Sequence, residues 1–317
     1  MRTTALTIGF VLGLALAVRA QNCCAPAVPQ QGVLGETTAL PQTLEIGFHY
    51  EHLCSCGKFD GSDGVPDPDD TRTDWKRATL TVGYGIVPRL GLTAIVPYLW
   101  KEKSEIAGTS RTRMVSSAEG LGDASLLLRY SPLGRSFVQF RELSLGAGVK
   151  MPTGSTDRQK FGKALLAELQ PGTGSWDYFG SVSFYQGFES IDFIVSATYT
   201  LTTAYDGYDF GSYKFGNQFS YLVTTNLHLT NRIDVSAALT GTMRGRDSMD
   251  GAEVTATGRH QVWFMPGVQV QAIPEVLRLH VYYEAPVYQH FNGVQLGSDH
   301  NLRFTASFLL PLAGEEE

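Results

Sequence analysis

Apolar residues recur at every second position over stretches of about 10–13 residues, and no other feature restricts the fold of this chain so tightly. In "RIDVSAALTGTMR", Ile233, Val235, Ala237, Leu239 and Met243 fall on one face, and Arg232, Asp234, Ser236, Thr240, Thr242 and Arg244 on the other. "NLRFTASFLL" sets Leu302, Phe304, Ala306, Phe308 and Leu310 against Asn301, Arg303, Thr305 and Ser307. "LRLHVYYEAPV" and "IDFIVSATYTL" behave in the same way. Successive side chains of a strand point to opposite faces, so each segment has one greasy and one wet surface. Strands of soluble sandwiches run about 5–6 residues, whereas a tilted strand needs about 9–11 to cross a bilayer. Segment length therefore predicts an all-β fold, a transmembrane antiparallel up-and-down β-barrel, over a large secreted β protein.

Period-2 matching gives about twelve strands, near 42–53, 74–86, 89–101, 118–130, 141–152, 175–187, 191–203, 213–227, 232–244, 259–272, 276–289 and 298–311. Tight links ("VP", "FES", "LTN", "IPE") alternate with long polar ones at 54–73, 102–117, 153–174, 204–212 and 245–258. Short periplasmic turns and long outer loops produce that rhythm, and an even count returns both ends of the barrel to the periplasm. "SPLGRSFVQF" (131–140) is long for a periplasmic turn. Trp75, Tyr98, Trp100, Trp176, Tyr178, Tyr205 and Tyr213 sit where segments end, which predicts aromatic girdles at the two interfaces.

The N-terminus reads as an export signal over residues 1–20. Arg2 precedes the apolar run "ALTIGFVLGLALAV", and "VRA" supplies small residues at the cut. Arg19 ends the run before the roughly 20 residues an anchor needs. Residues 21–41 then form a periplasmic N-terminal segment that could thread the lumen as a plug, residues 42–311 the barrel, and 312–317 an acidic C-terminal tail. The chain carries 25 basic and 31 acidic residues, and losing Arg2 and Arg19 leaves 23 against 31, a balance of −8. An acidic balance excludes the basic face that nucleic-acid binding requires. A hydrophobic content of 43% hides no bundle of membrane helices, and 34 glycines suit strands and turns.

With the apolar face in lipid, the other face must line a lumen. It carries Glu45, His49, Arg77, Arg89, Asp123, Arg129, Glu142, Lys150, Asp192, Arg232, Asp234, Arg278, His280, Glu284 and Arg303 as pore-lining positions. A cation turned to lipid near the midplane would cost about 2–4 kcal/mol, which drives such groups inward. They serve either as a salt-bridge mesh bracing the barrel or as the walls of a solute path, and the two roles are compatible.

"GLGDASLLLRY" (120–130), "KMPTGSTD" (150–157) and "PGTGSWDYFGSVSFYQGF" (171–188) resemble the outer-membrane transporters of the meta-pathway phenol-degradation family. Gly-x-Gly-Asp opens one strand, Lys-x-Pro-Thr-Gly closes another, and Pro-Gly-x-Gly introduces the next. The resemblance spans roughly 75–310. It implies an outer-membrane channel for small solutes, among them aromatic or hydrophobic compounds, with Asp123, Lys150 and Asp177 as the matching charged positions. Membrane lipid, lipopolysaccharide, a small-molecule solute and the outer-membrane assembly machinery are the partners implied. The chain ends "ASFLLPLAGEEE", so Phe308 precedes an acidic extension where such barrels usually end on an aromatic residue.

All four cysteines lie in the first fifth of the chain: Cys23 and Cys24 in the N-terminal segment, Cys54 and Cys56 at the opening of the first outer link. Export favours disulfides, and bridges between the two pairs, or between molecules, are less strained than bridges within one. The alternative is a soft-metal site of thiolates. A competing functional class follows from it, a closed barrel that binds metal or fixes a partner through these segments. Asp63, Asp67 and Asp70 in "FDGSDGVPDPDDTRTD" resemble half of an Asp-rich calcium repeat, with Phe59 and Gly61 where further carboxylates belong. A solvated acidic loop is the competing account. No cofactor beyond such a soft metal or Ca2+ is indicated. No phosphate loop, His-Glu-x-x-His or nucleophile elbow occurs. Ser298 and His300 share a face by spacing but lack a third group, so an enzyme is not expected.

Overall fold

The computed structural model describes residues 41–107, 111–133 and 140–312. The expected signal peptide, Cys23, Cys24 and nearly all of the N-terminal segment lie outside them. Eleven antiparallel strands close a single barrel: β1 (Thr43–Gly61), β2 (Arg72–Val87), β3 (Leu90–Ala107), β4 (Ser125–Tyr130), β5 (Arg141–Lys150), β6 (Asp177–Gly187), β7 (Ile191–Leu201), β8 (Gln218–Thr230), β9 (Ile233–Arg244), β10 (Arg259–Ile273) and β11 (Leu277–Pro311). Each pairs with the next, and β11 closes the ring on β1, from Thr43 opposite Pro311 upward. β11 is 35 residues long. Its early residues pair with β10 and its later ones with β1. Leu309 N–H donates to the Val276 carbonyl at 2.9 Å, and Gly293 takes φ 80°. The strand thus doubles back on itself and supplies two staves, which reconciles eleven strands with the twelve expected.

Burial is inverted relative to a water-soluble protein. On β9, Leu239 is 46% exposed while the neighbouring Thr240 is 6% exposed. On β2 and β7 the same holds: Leu80, Val82 and Val195 face out, while Thr79, Thr81, Ser196 and Thr198 are buried. Every strand contributes to this greasy belt, and only acyl chains cover such a surface without penalty. Closure leaves no sheet edge to be satisfied in lipid. No helix among the described residues is long and apolar enough to cross a membrane, and the strands do so instead. The chain is a transmembrane β-barrel.

The outer limit of the belt is drawn by three strands in register. Outward-facing Tyr50, Ala78 and Phe304 lie side by side, and one step further His52 and Lys76 sit between the outward-facing Leu302 and Trp100, at the edge of the belt. Cys54 follows, between Asp74 and His300. Two expected outer links, 54–73 and 102–117, are correspondingly shorter than expected, because β1 continues to Gly61 and β3 to Ala107. Past the lipid boundary the outward residues turn polar, so the periodic signal fades while the hairpins persist as hydrogen-bonded ladders. Beyond the barrel wall, Thr112–Leu121 pairs with the upper part of β3, and Ala204–Tyr208, Gly211–Lys214, Ser248–Met249 and Ala252–Glu253 form a small sheet of their own.

Four of the seven girdle aromatics lie on the outward face, with Trp100, Trp176 and Tyr178 exposed and Tyr98 packed against Trp100. Trp75 instead points inward against buried Leu296, with the Lys101 ammonium 4.4 Å from its ring centroid. Tyr205 and Tyr213 pack in a cluster around buried Phe215 and Tyr208. Proximity to a strand end does not fix the face; strand parity does, and position 75 has inward parity.

Candidate solute path and its inward-folded loop

One wall of the lumen is a charged ladder across β11, β1 and β2. Glu51 stands in register with Arg77 on one side and Arg303 on the other. It hydrogen-bonds Arg77 and lies 3.7 Å from Arg303. Arg303 also meets Glu284 at 2.8 Å, and Asn301 donates to the second Glu284 oxygen at 2.8 Å. His49 bridges Thr305 and Thr81, at 3.1 and 3.3 Å, and His280 reaches Ser236 at 3.1 Å. Nearer the tight turns, His228 sits between Asp234 (2.8 Å) and Asp192 (3.5 Å).

Elsewhere the inner face is mostly hydroxyl- and charge-bearing, but two apolar patches interrupt it. Leu127 and Phe179 pack together from β4 and β6, with Ile95 and Leu99 of β3 also buried. Leu222, Ala238 and Met265, with Trp263 and Tyr282, form a second apolar patch on β8 to β11. Period-2 reading treats the inner face as uniformly polar, so these residues escaped it. Their parity was the signal available, since each sits on the wet face of its own strand.

Of the expected pore-lining set, His49, Asp123, Arg129, Glu142, Lys150, Asp192, Asp234 and Glu284 are buried inside, and Glu45, Arg77, His280 and Arg303 are half-buried. Arg89, Arg232 and Arg278 are exposed at the tight-turn rim. Arg89 is itself a turn residue (φ 76°) that reaches the Pro132 carbonyl.

At the opposite end, the link 151–176 folds inward. Lys101, from the inner face of β3, donates to the Glu168 and Gln170 carbonyls at 2.9 and 2.7 Å. Leu165 and Leu169 pack on Ala118. Lys150 fixes the base of the link. Its ammonium lies 2.8 Å from Asp123 and 2.8 Å from Asp177, all three side chains being almost fully buried. One cation against two carboxylates leaves excess negative charge, which backbone amides offset: Gly154 and Thr173 donate to Asp123, and Thr203 to Asp177, at 2.9–3.0 Å. Buried charges persist only when bonded in this way. Thr173 links the pair further, donating from its hydroxyl to Asp123 at 2.7 Å. A Cβ built on Gly154 would meet Gly172 Cα at 2.6 Å, so both glycines are required for the two ends of the link to touch.

These contacts join three stretches of sequence that lie far apart along the chain. Asp123 ends "GLGD", Lys150 and Gly154 belong to "KMPTG", and Gly172, Thr173 and Asp177 belong to "PGTGSWD". The family described as "Putative MetA-pathway of phenol degradation" matches residues 70–298 and takes in all three. The chain belongs to that family. Asp123, Lys150 and Asp177 thus form one buried cluster that seats an inward loop. Among solved structures, an outer membrane channel from Pseudomonas putida F1 superposes with a TM-score of 0.69 at 14% identity, covering 87% of this chain and 98% of that one. The translocator domain of the autotransporter NalP from Neisseria meningitidis aligns at 0.46 and 11% identity, covering 88% of this chain and 91% of that one. The P. putida toluene transporter TodX aligns at 0.42 and 9% identity, with 85% and 90% covered. No curated protein matches the sequence.

The expected cation positions separate. Asp67 takes Lys58 at 2.8 Å and the Thr71 amide at 2.8 Å, and Asp70 is held by Arg72 and Arg113. Hydrogen bonds from those two arginines hold the Asp70 carboxyl below its usual range. The oxygens expected for Ca2+ therefore face cations, and Asp63 stands apart in the strand Asp63–Val65 that pairs back onto β1. In the outer cluster, burial and the nearby Asp247 carboxylate push the Tyr213 phenol up, and its hydroxyl donates to Asp247 at 2.6 Å. The Ser298–His300 pairing is corrected. Between Cys54 and Ser55 the register shifts, so Ser298 is buried inside with Gln261 and Gln289 while His300 faces outward beside Asp299.

Proposed function

We propose that this barrel is an outer-membrane channel for small solutes and that its preferred cargo is apolar, aromatic compounds included. The observation that carries the reading is the mixed inner face, where the Leu127–Phe179 and Leu222–Met265 patches interrupt polar walls, the second patch adjoining the charged ladder on β11, β1 and β2. A purely structural mesh does not need buried Leu, Phe and Met on an inner wall that water could fill. Apolar walls beside a few fixed polar groups suit a small hydrophobic ligand. The inward link 151–176 narrows the outer mouth, which suits single small molecules over a broad aqueous stream. Family membership and the fold shared with the P. putida channel support the same class.

Planar-bilayer recording of the purified protein tests the channel. Discrete, narrow conductance steps are expected, and a silent, correctly folded barrel refutes it. Liposome uptake of a labelled monoaromatic against a sugar of similar size tests the cargo. Faster entry of the sugar would overturn the apolar preference.

A further inference from the structure

The outer wall carries a second feature, unrelated to the lumen. His52, Cys54 and Cys56 lie at alternate positions of β1 and share its outward face, with His52 at the lipid boundary and the two cysteines beyond it. Cross-strand from Cys54 stands Asp74 of β2. The donor atoms of His52, Cys54 and Asp74 all lie within 4.8 Å of one another.

We propose that His52, Cys54 and Asp74 bind a divalent cation of zinc type on the outer wall of the barrel. The donor set is one imidazole, one thiolate and one carboxylate, the mixed soft and hard ligation that zinc accepts and that calcium and magnesium do not. With Zn–S near 2.3 Å and Zn–N or Zn–O near 2.0–2.1 Å, tetrahedral angles place the sulfur about 3.6 Å from each other donor. Cys54 Sγ lies 3.6 Å from His52 Nε2 and 3.8 Å from Asp74 Oδ2. The third edge, His52 Nε2 to Asp74 Oδ2, is 2.6 Å and holds a proton. Metal entry displaces that proton and the thiol proton, and opens this edge to about 3.3 Å. Lys76 holds the other Asp74 oxygen at 3.2 Å, which aims Oδ2 at the histidine and the thiol. The His52 and Asp74 side chains are 33% and 40% exposed, so an ion approaches directly from outside. A fourth position is left to solvent, as in open zinc sites.

The cysteine-only site expected from sequence is thereby redrawn. Cys54 ligates with a neighbouring histidine and aspartate, and its thiol points away from any segment threading the lumen.

Cobalt(II) titration of the full-length protein in detergent, followed by absorbance and by zinc competition, tests the assignment. A thiolate-to-cobalt charge-transfer band at one ion per chain, displaced by zinc, is expected. Cys54→Ser should abolish the band. His52→Gln and Asp74→Asn should each weaken binding by more than the roughly tenfold to hundredfold that outer-shell changes cost. The double variant Cys23→Ser/Cys24→Ser should leave the band intact. A band that survives Cys54→Ser, a band lost in the Cys23/Cys24 variant, or no band at all would each overturn the site. Retained heat-modifiable migration on gels shows that each variant still forms the barrel, and bilayer conductance should not change in any of them.

Discussion

Gly154 and Gly172 meet backbone to backbone: a Cβ on Gly154 would sit 2.6 Å from Gly172 Cα and 2.9 Å from the Gly122 carbonyl carbon. Both obstacles are main chain, so neither can swing aside. Gly154→Ala is expected to unseat the link 151–176 while the barrel below stays closed. Limited proteolysis should then cut within that link at least several-fold faster than in the parent, with heat-modifiable migration retained. An unchanged cleavage rate would show that the contact does not hold the loop.

The buried cluster beneath that contact makes a larger prediction. Lys150 pairs with both Asp123 and Asp177 at 2.8 Å, and nothing else cationic contacts the two carboxylates among the described residues. Lys150→Met strands two buried carboxylates, and breaking a buried pair typically costs about 3–5 kcal/mol. Adding Asp123→Asn and Asp177→Asn should restore part of that loss, because the stranded charge goes with them. Urea titration of the vesicle-folded protein measures both steps. A single substitution without effect, or a triple variant worse than the single one, would contradict the assigned role.

How much of this was legible in the sequence divides along physical lines. Strand identity and parity were, because lipid on one side and lumen on the other force a strict alternation, as Ile233 to Thr240 shows. The three motif charges could be named, but their convergence could not, since Asp123 and Asp177 meet Lys150 only when β4, β5 and β6 stand side by side. Trp75 was misassigned because its position near a strand end carries no information about face. Asp74 was overlooked because its proximity to Cys54 arises from cross-strand register, 20 residues away in the chain, and without it the i, i+2 pair of His52 and Cys54 was two donors and no site.

The lipid-facing belt gives a depth-dependent prediction. Leu239 lies near the middle of the outward run of β9, and Met243 at its outer end, both exposed to the acyl region. Leu239→Arg should destabilise the folded barrel by about 2–4 kcal/mol and Met243→Arg by about 0–1 kcal/mol, since the cost of a cation falls toward the interface. Equilibrium folding into phospholipid vesicles measures both. Equal costs at the two depths would mean that the belt does not sit in the bilayer as described.

The charged ladder sets the ionic preference of the lumen. Glu51 contacts both Arg77 and Arg303, while Glu284 balances Arg303 from the other side. Glu51→Gln removes the carboxylate common to both arginines, so two guanidinium groups then share the one remaining acid. The field along this wall becomes more positive, and fixed rings of charge govern which ions pass. In a potassium chloride gradient across a planar bilayer, the reversal potential of Glu51→Gln should shift toward anion selectivity. Arg303→Gln should shift it in the opposite direction, toward cations. Both variants alter lumen-facing groups, so the lipid belt that holds the barrel together is untouched. A null shift in both, with conductance otherwise normal, would place the ion path away from β11, β1 and β2.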